Sequence, residues 1–183
     1  EIASRFSAFT DVLEIGSGTG QHAVFFAEKL PHLQWHTSDC IENHTGIIEW
    51  IDDSHLTNVV PPIRLNVIDD TRPSRKFDAI FTANTCHIMD WQAVTAMFAG
   101  VKEVIGQGGL FVIYGPFNYH DNYTSESNER FDAMLRKRNP LSGLRNFEVI
   151  VSLANDNHLE FVEDIAMPAN NRLLIFKMDS YSI

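Results

Sequence analysis

An α/β domain, with a largely parallel sheet and helices on both faces, is the fold class that this sequence predicts. Three observations predict it. Short apolar runs of strand length alternate with stretches of helical periodicity along most of the chain. The first run, Val12-Leu-Glu-Ile15, enters a turn with glycine at 16, 18 and 20 and leaves it as a helix. A late pair of runs, Leu159–Ile165 and Arg172–Lys177, flanks Met167-Pro-Ala-Asn-Asn171, so the sheet closes on a hairpin.

The 183 residues suit a single domain, 1–183, with a sizeable core. Apolar content of 44% and 13 phenylalanines place the chain among globular proteins. No apolar run approaches the roughly 18 residues of a membrane span, and no leader peptide is visible. The chain starts at Glu1 rather than Met, which raises the expectation of an incomplete N-terminus. A formal charge of −10 disfavours a nucleic-acid substrate, because phosphate backbones call for a basic face. Cys40 and Cys86 form no spaced motif, so free thiols in a reducing, cytoplasmic compartment are expected.

Ile2, Phe6 and Phe9 repeat at helical spacing before the first strand, 11–15. After the glycine turn, Ala23, Phe26, Ala27 and Leu30 mark one face of a helix that Pro31 ends. Leu33–Thr37 reads as strand two, ending in Ser38-Asp39. A helix is expected over 41–51, with Ile47, Ile48 and Ile51 on its buried side. Pro61-Pro62 then precedes a short strand expected at 63–67. Phe77–Ala83 is strand four, almost continuously apolar as buried parallel strands are. Asp90 caps a helix that presents Val94, Met97, Phe98, Val101 and Ile105, and Gly108-Gly109 turns the chain into strand five, 110–114. From 115 to 146 the alternation breaks. Ser125 or Ser127 can cap a helix bearing Phe131, Met134 and Leu135, which Asn139-Pro140 stops. Phe147–Ala154 looks helical.

The glycine turn carries the chemistry. Glycine reaches torsions closed to other residues, and without side chains a ligand can lie against the main chain and the open N–H groups of the helix that follows. The dinucleotide fingerprint G-x-G-x-x-G is not met, because Gln21 stands where its third glycine belongs. Glu14, two residues before the first glycine, completes Glu-x-Gly-x-Gly-x-Gly. That pattern resembles the first motif of class I S-adenosylmethionine (SAM) methyltransferases, whose seven-stranded, Rossmann-like sheet ends with an antiparallel strand. More narrowly, the chain resembles methyltransferase-like protein 26 and its bacterial relatives. The matching stretches include Glu14–His22, Phe77–Met89, Tyr114-Gly-Pro-Phe117, Ser127-Asn128, Phe131-Asp132, Gly143-Leu-Arg145 and Met167–Asn171. Members of that family usually carry a further segment before strand one.

The resemblance implies SAM as cofactor. On it, Gly16, Ser17, Gly18, Thr19, Gly20 and His22 would line the cofactor site, and Glu14 would face the methionine amine directly or through water. Asp39 ends strand two, where a carboxylate can accept both ribose hydroxyls; a helix cap is its plainer role. Asn66 and Val67 are expected beside the adenine, with Asp69 and Asp70 as alternatives, and Asn84 belongs to the cofactor side of strand four. His87 lies just beyond strand four, where ligands of such sheets bind, and is the candidate general base; a structural histidine is the alternative. Tyr114, Asn118, Asn128, Arg145 and Asn170 are the expected acceptor-side residues.

The 115–146 insertion would form the acceptor lid. Its Arg130, Arg136, Lys137, Arg138 and Arg145 raise the expectation of an anionic acceptor, against the alternative of a solvated helix face. Enzymes that methylate planar amino groups often carry Asn/Asp-Pro-Pro-aromatic after strand four. Asn84-Thr-Cys-His87 stands there instead, which favours a small molecule. No metal is expected, since His32 and His36 share no helix face. Two rivals stay open: a non-catalytic SAM-binding protein and a nicotinamide oxidoreductase.

Overall fold

The computed structural model describes residues 1–180. The elements follow the predicted alternation: α1 (Ile2–Arg5), β1 (Asp11–Ile15), α2 (Gln21–Lys29), β2 (Gln34–Asp39), α3 (His44–Ser54), β3 (Val59–Arg64), β4 (Phe77–Ala83), α4 (Trp91–Val104) and β5 (Ile105–Gly115). The insertion supplies β6 (Phe117–Asn118), α5 (Glu126–Arg138) and β7 (Arg145–Asn146), with β6 and β7 pairing in parallel. The chain closes with α6 (Phe147–Asp156), β8 (Leu159–Met167) and β9 (Asn171–Met178).

Seven strands form one sheet in the order β3-β2-β1-β4-β5-β9-β8. β1 pairs in parallel with β2 and β4, and β9 runs antiparallel between β5 and β8. The chain leaves β1 toward β2 and β3, then returns on the other side as β4. The carboxyl ends of β1 and β4 therefore border the switch point where open α/β sheets bind ligands.

The strand pleat divides the core in two. Leu13, Ile15, Ile80, Phe111 and Phe176 face α4 and α6. Val12, Ala79, Phe81, Val112 and Ile175 face α1, α2 and α3. Asp90 caps α4 by accepting from the Ala93 amide, and Ser125 caps α5 by accepting from the Asn128 amide at 3.1 Å.

Three boundaries differ from the sequence reading. β3 lies at 59–64 rather than 63–67, with Pro61-Pro62 inside it. β3 is an edge strand, so a proline there can turn its missing donor away from the ladder. Cys40 leads into a single 3₁₀ turn at Ile41–Asn43, and α3 begins only at His44. Ile47 and Ile51 are buried on it, but Ile48 is 43% exposed, because one residue advances the helix by about 100°. Gly108-Gly109 lies within β5, where a side-chain carbon on Gly109 would come 2.8 Å from the Asp78 carbonyl.

The same pleat sends Glu14 to the α2 side of the sheet, where only 1% of it is exposed. The Trp35 indole donates to its carboxylate at 3.2 Å. Burial raises its pKa to about 7, offset only in part by that bond. The folded pKa is thus above the unfolded one, so this group's contribution is intact at low pH and lost as pH rises through about 7. Glu14→Gln should then stabilise the fold at pH 8.5, by up to about 3 kcal/mol, and have little effect at pH 4. Urea midpoints at the two pH values check this; an equal shift at both would contradict it.

Candidate functional site

The site begins where the end of β2 is laced to the glycine turn. The Gly16 and Ser17 amides both donate to the Ser38 carbonyl, at 3.0 and 2.9 Å. The Ser38 amide donates back to Ser17 Oγ at 3.1 Å, and Ser38 Oγ donates to the Glu14 carbonyl at 2.6 Å. Asp39 Oδ2 accepts from the Gly18 amide at 2.7 Å, while its Oδ1 accepts from the Cys40 amide and from Asn43 Nδ2.

Each glycine answers a different demand. All three have positive φ, at +73°, +60° and +89°. A side-chain carbon on Gly16 would meet the Thr85 methyl at 2.7 Å, and one on Gly20 would approach the α3 backbone at Ile47. Above Gly18 nothing lies within 4 Å, so its bare backbone faces open space. Gly20 also caps α2, whose first turn carries no acidic residue, so nothing there competes for an anionic group.

That open space is a cleft of about 500 Å³. Gly16, Ser17, Gly18 and Thr19 form one wall, Asp39 and Asn43 a second, and Asn84, Ile88 and Met89 a third, with His22 at the margin. Four residues expected at the cofactor are not on these walls. Gly20 is buried under α3, and Glu14 lies beneath the turn. Val67 packs in the core with Leu13 and Leu65. Asn66 Oδ1 accepts from the Ile68 amide in a local turn. Ile88, Met89, Cys40 and Asn43 went unread as cleft residues. The one signal for them was Ile88-Met89, an apolar pair in a loop where no helix or strand needs it.

A second cavity, of about 650 Å³, adjoins the first through Asn84, which lines both. Asn84 sits at φ +57°, an uncommon torsion for a residue other than glycine. His87, Pro116, Asn128, Phe131 and Asn170 share this cavity with it. His87 is 4% exposed and packs edge-on against Phe131 at 5.3 Å between ring centres. Burial lowers its pKa to about 4, with the Arg145 charge as the smaller cause.

Of the expected acceptor residues, Asn128 and Asn170 are brought to His87, and the others are not. Tyr114 lines a separate apolar hollow with Phe25 and Phe26, though its hydroxyl accepts from Asn171 Nδ2 at 3.0 Å. Asn118 and Arg145 line a polar hollow beside β6 and β7. Arg145 donates to the carbonyls of Cys86, Met89 and Leu141. Gly143 N and Ser142 Oγ donate to the carbonyls of His87 and Ile88. The end of the insertion thus grips the loop that walls both cavities. Arg130 pairs with Glu126, and Arg136 with Asp132. His32 and His36 turn to separate partners, the Phe6 carbonyl and Asp11.

A family model described as "Protein of unknown function (DUF938)" matches residues 2–178. The chain belongs to this family. Among solved structures, this DUF938 member is similar to an O-methyltransferase family protein from Burkholderia thailandensis, with a TM-score of 0.86, 16% identity and coverage of 97% of this chain and 53% of that one. It is also similar to an O-methyltransferase family 2 protein from Planctomyces limnophilus in complex with apigenin, with a TM-score of 0.81, 16% identity and coverage of 91% and 50%. A third similar structure is PigF with SAH, at a TM-score of 0.82 and 13% identity, with coverage of 94% and 51%. The chain spans about half the length of each. These likenesses establish the α/β methyltransferase fold.

Arg145→Ala should free the loop from Cys86 to Met89. Amide exchange at Ile88 and Met89 should quicken by about tenfold, the equivalent of one charged hydrogen bond. Exchange unchanged at those two amides would show that the guanidinium does not hold the loop.

Proposed function

We propose that this chain transfers a methyl group from S-adenosylmethionine to a small molecule. The observation that carries the reading is the junction at Asn84. It joins a glycine-turned cleft at the switch point to a second cavity that contains a buried histidine. The cleft fits the cofactor: the space above Gly18 is a cradle that a side chain would occupy, and Asp39 presents a carboxylate beside it.

Gly16, Ser17, Gly18 and Thr19 would hold the methionine end, with the α2 N-terminus favouring its carboxylate. Asp39 would take the ribose diol; of the about four acceptor positions on a carboxylate, the Gly18, Cys40 and Asn43 donors use three, so the second hydroxyl would take the place of the Asn43 amide. Ile88 and Met89 would cover the base in place of Asn66 and Val67, and His22 and Asn84 would border the sulfonium end. Glu14 would act from beneath the turn, as a negative charge that the cationic cofactor favours. When bound, SAM supplies an electrophilic methyl group. The protein supplies position, which can lower the barrier by roughly 7–11 kcal/mol. His87 would accept the acceptor's proton, since burial keeps it neutral above about pH 4. Its low basicity suits a proton that leaves late, once the methylated atom has become acidic.

The insertion over 115–146 would cover the acceptor side, with Asn128 and Phe131 as its contacts and Arg145 holding the loop. The narrower kinship with methyltransferase-like protein 26 rests on Tyr114-Gly-Pro-Phe117, Gly143-Leu-Arg145 and Met167–Asn171. A cytoplasmic setting is supported by two free cysteines; among the described residues no helix is long and apolar enough to cross a membrane. A binding protein without turnover is the second reading, favoured only by the weak basicity of His87.

Conversion of SAM to S-adenosylhomocysteine (SAH) in the presence of a metabolite extract tests the proposal. At saturating SAM, so that titration of Glu14 near 7 does not enter, turnover should rise through about pH 4 and stay level from 5 to 8. His87→Gln should lower it by about a hundredfold and spare SAH affinity. A rise near pH 6.5 would remove His87 from the role, and SAH binding with no turnover on any extract would favour the second reading.

A further inference from the structure

The second cavity is lined by amides. Besides Pro116, Phe131, Ser127 and Ala169, its walls are Asn84, Asn128, Asn170, Asn171 and His87. No lysine, arginine, aspartate or glutamate is among them.

The direction of these amides can be read from their partners. Asn128 Nδ2 donates to Thr124 Oγ1 at 2.9 Å and to the Asn170 carbonyl at 3.4 Å. Asn171 Nδ2 donates to the Pro168 carbonyl at 3.2 Å. A carbonyl can only accept, so in both residues the nitrogen end is committed and Oδ1 is the free end. Asn170 Nδ2 donates to Ser127 Oγ. Among the described residues, none donates to Oδ1 of Asn128, Asn170 or Asn171, and the Asn84 amide has no side-chain partner. The amide oxygens of Asn84, Asn128, Asn170 and Asn171 are therefore unused, the nitrogens of Asn128 and Asn171 are spent, and the free donors that remain are neutral ones on Asn84, Asn170 and His87.

We propose that the methyl acceptor is an uncharged molecule bearing several O–H or N–H donors, bound through these amide oxygens with an apolar face against Phe131. This rests on reading the cavity as the acceptor site. An anion would leave water for a cavity with four amide oxygens and no cationic side chain on its walls, so its charge would be buried without a counter-charge. Of the basic residues that suggested an anion, Arg130, Arg136 and Arg145 turn to Glu126, Asp132 and backbone carbonyls, and none of the five lines this cavity. A protonated amine has no lone pair to methylate, and it would face the sulfonium charge across Asn84.

Side-chain amide NMR on ¹⁵N-asparagine-labelled protein, free and loaded with SAH, tests this with three matched probes. Resorcinol carries two donors, 1,3-dimethoxybenzene has them capped, and benzoate is an anion. Resorcinol should shift the Asn128, Asn170 and Asn171 resonances in a saturable way, with an affinity about tenfold above either other probe. Benzoate or the capped ring binding as tightly as resorcinol would overturn the proposal. So would the failure of all three to move these resonances. The methyl-donor reading has its own readout in the same experiment: if SAH shifts neither Asn43 nor Asn84, the asparagines of the first cleft, while resorcinol keeps its advantage, that reading fails and the donor preference of the second cavity stands.

Discussion

The structure depends on the lacing of two strand ends. The carboxyl ends of β1 and β2 are joined by the Gly16 and Ser17 amides on the Ser38 carbonyl, and by the Gly18 amide on Asp39. These bonds fix three successive residues in torsions that only glycine adopts without strain at 16 and 18. They aim the turn's bare backbone at one cleft wall and place a carboxylate on the next. A charge-assisted bond such as that from Gly18 is stronger than a neutral one, so the turn and Asp39 hold each other in register.

Around this lacing, the insertion does the remaining positioning. Its last residues, from Ser142 to Arg145, satisfy four consecutive carbonyls in the loop from Cys86 to Met89. That loop carries Ile88 and Met89 into one cavity and His87 into the other. Asp132 anchors the insertion from within by accepting from the Leu144 amide, Arg136 and Tyr123. The two cavities therefore share a wall whose shape depends on one stretch of backbone bonds.

Much of this was legible in the sequence, for local reasons. β1, the glycine turn, β4 and the closing hairpin carry strong period and turn signals, and they landed within a residue or two. Gly16, Gly18, Asp39 and Asn84 came together because strand-end chemistry follows from topology. What escaped was set by tertiary structure. The prolines at 61 and 62 read as a strand break until β3 was seen to be an edge. With the strand ending at Arg64, Asn66 and Val67 fall in the turn beyond it and off the cleft walls. Glu14 has the composition of a ligand-binding residue, yet the pleat buries it against Trp35. Arg145 read as a site for an anion, but its acceptors are backbone carbonyls, two of them, at Cys86 and Met89, more than fifty residues away, and carbonyls leave no mark in a sequence.

A co-crystal structure with SAH tests the central claim most directly. The account predicts density along Gly16–Thr19, with both ribose hydroxyls within hydrogen-bond distance of the Asp39 carboxylate and the sulfur beside Asn84. Density lodged instead in the hollow between Tyr114 and Phe25, or none in the cleft at saturating SAH, would contradict it.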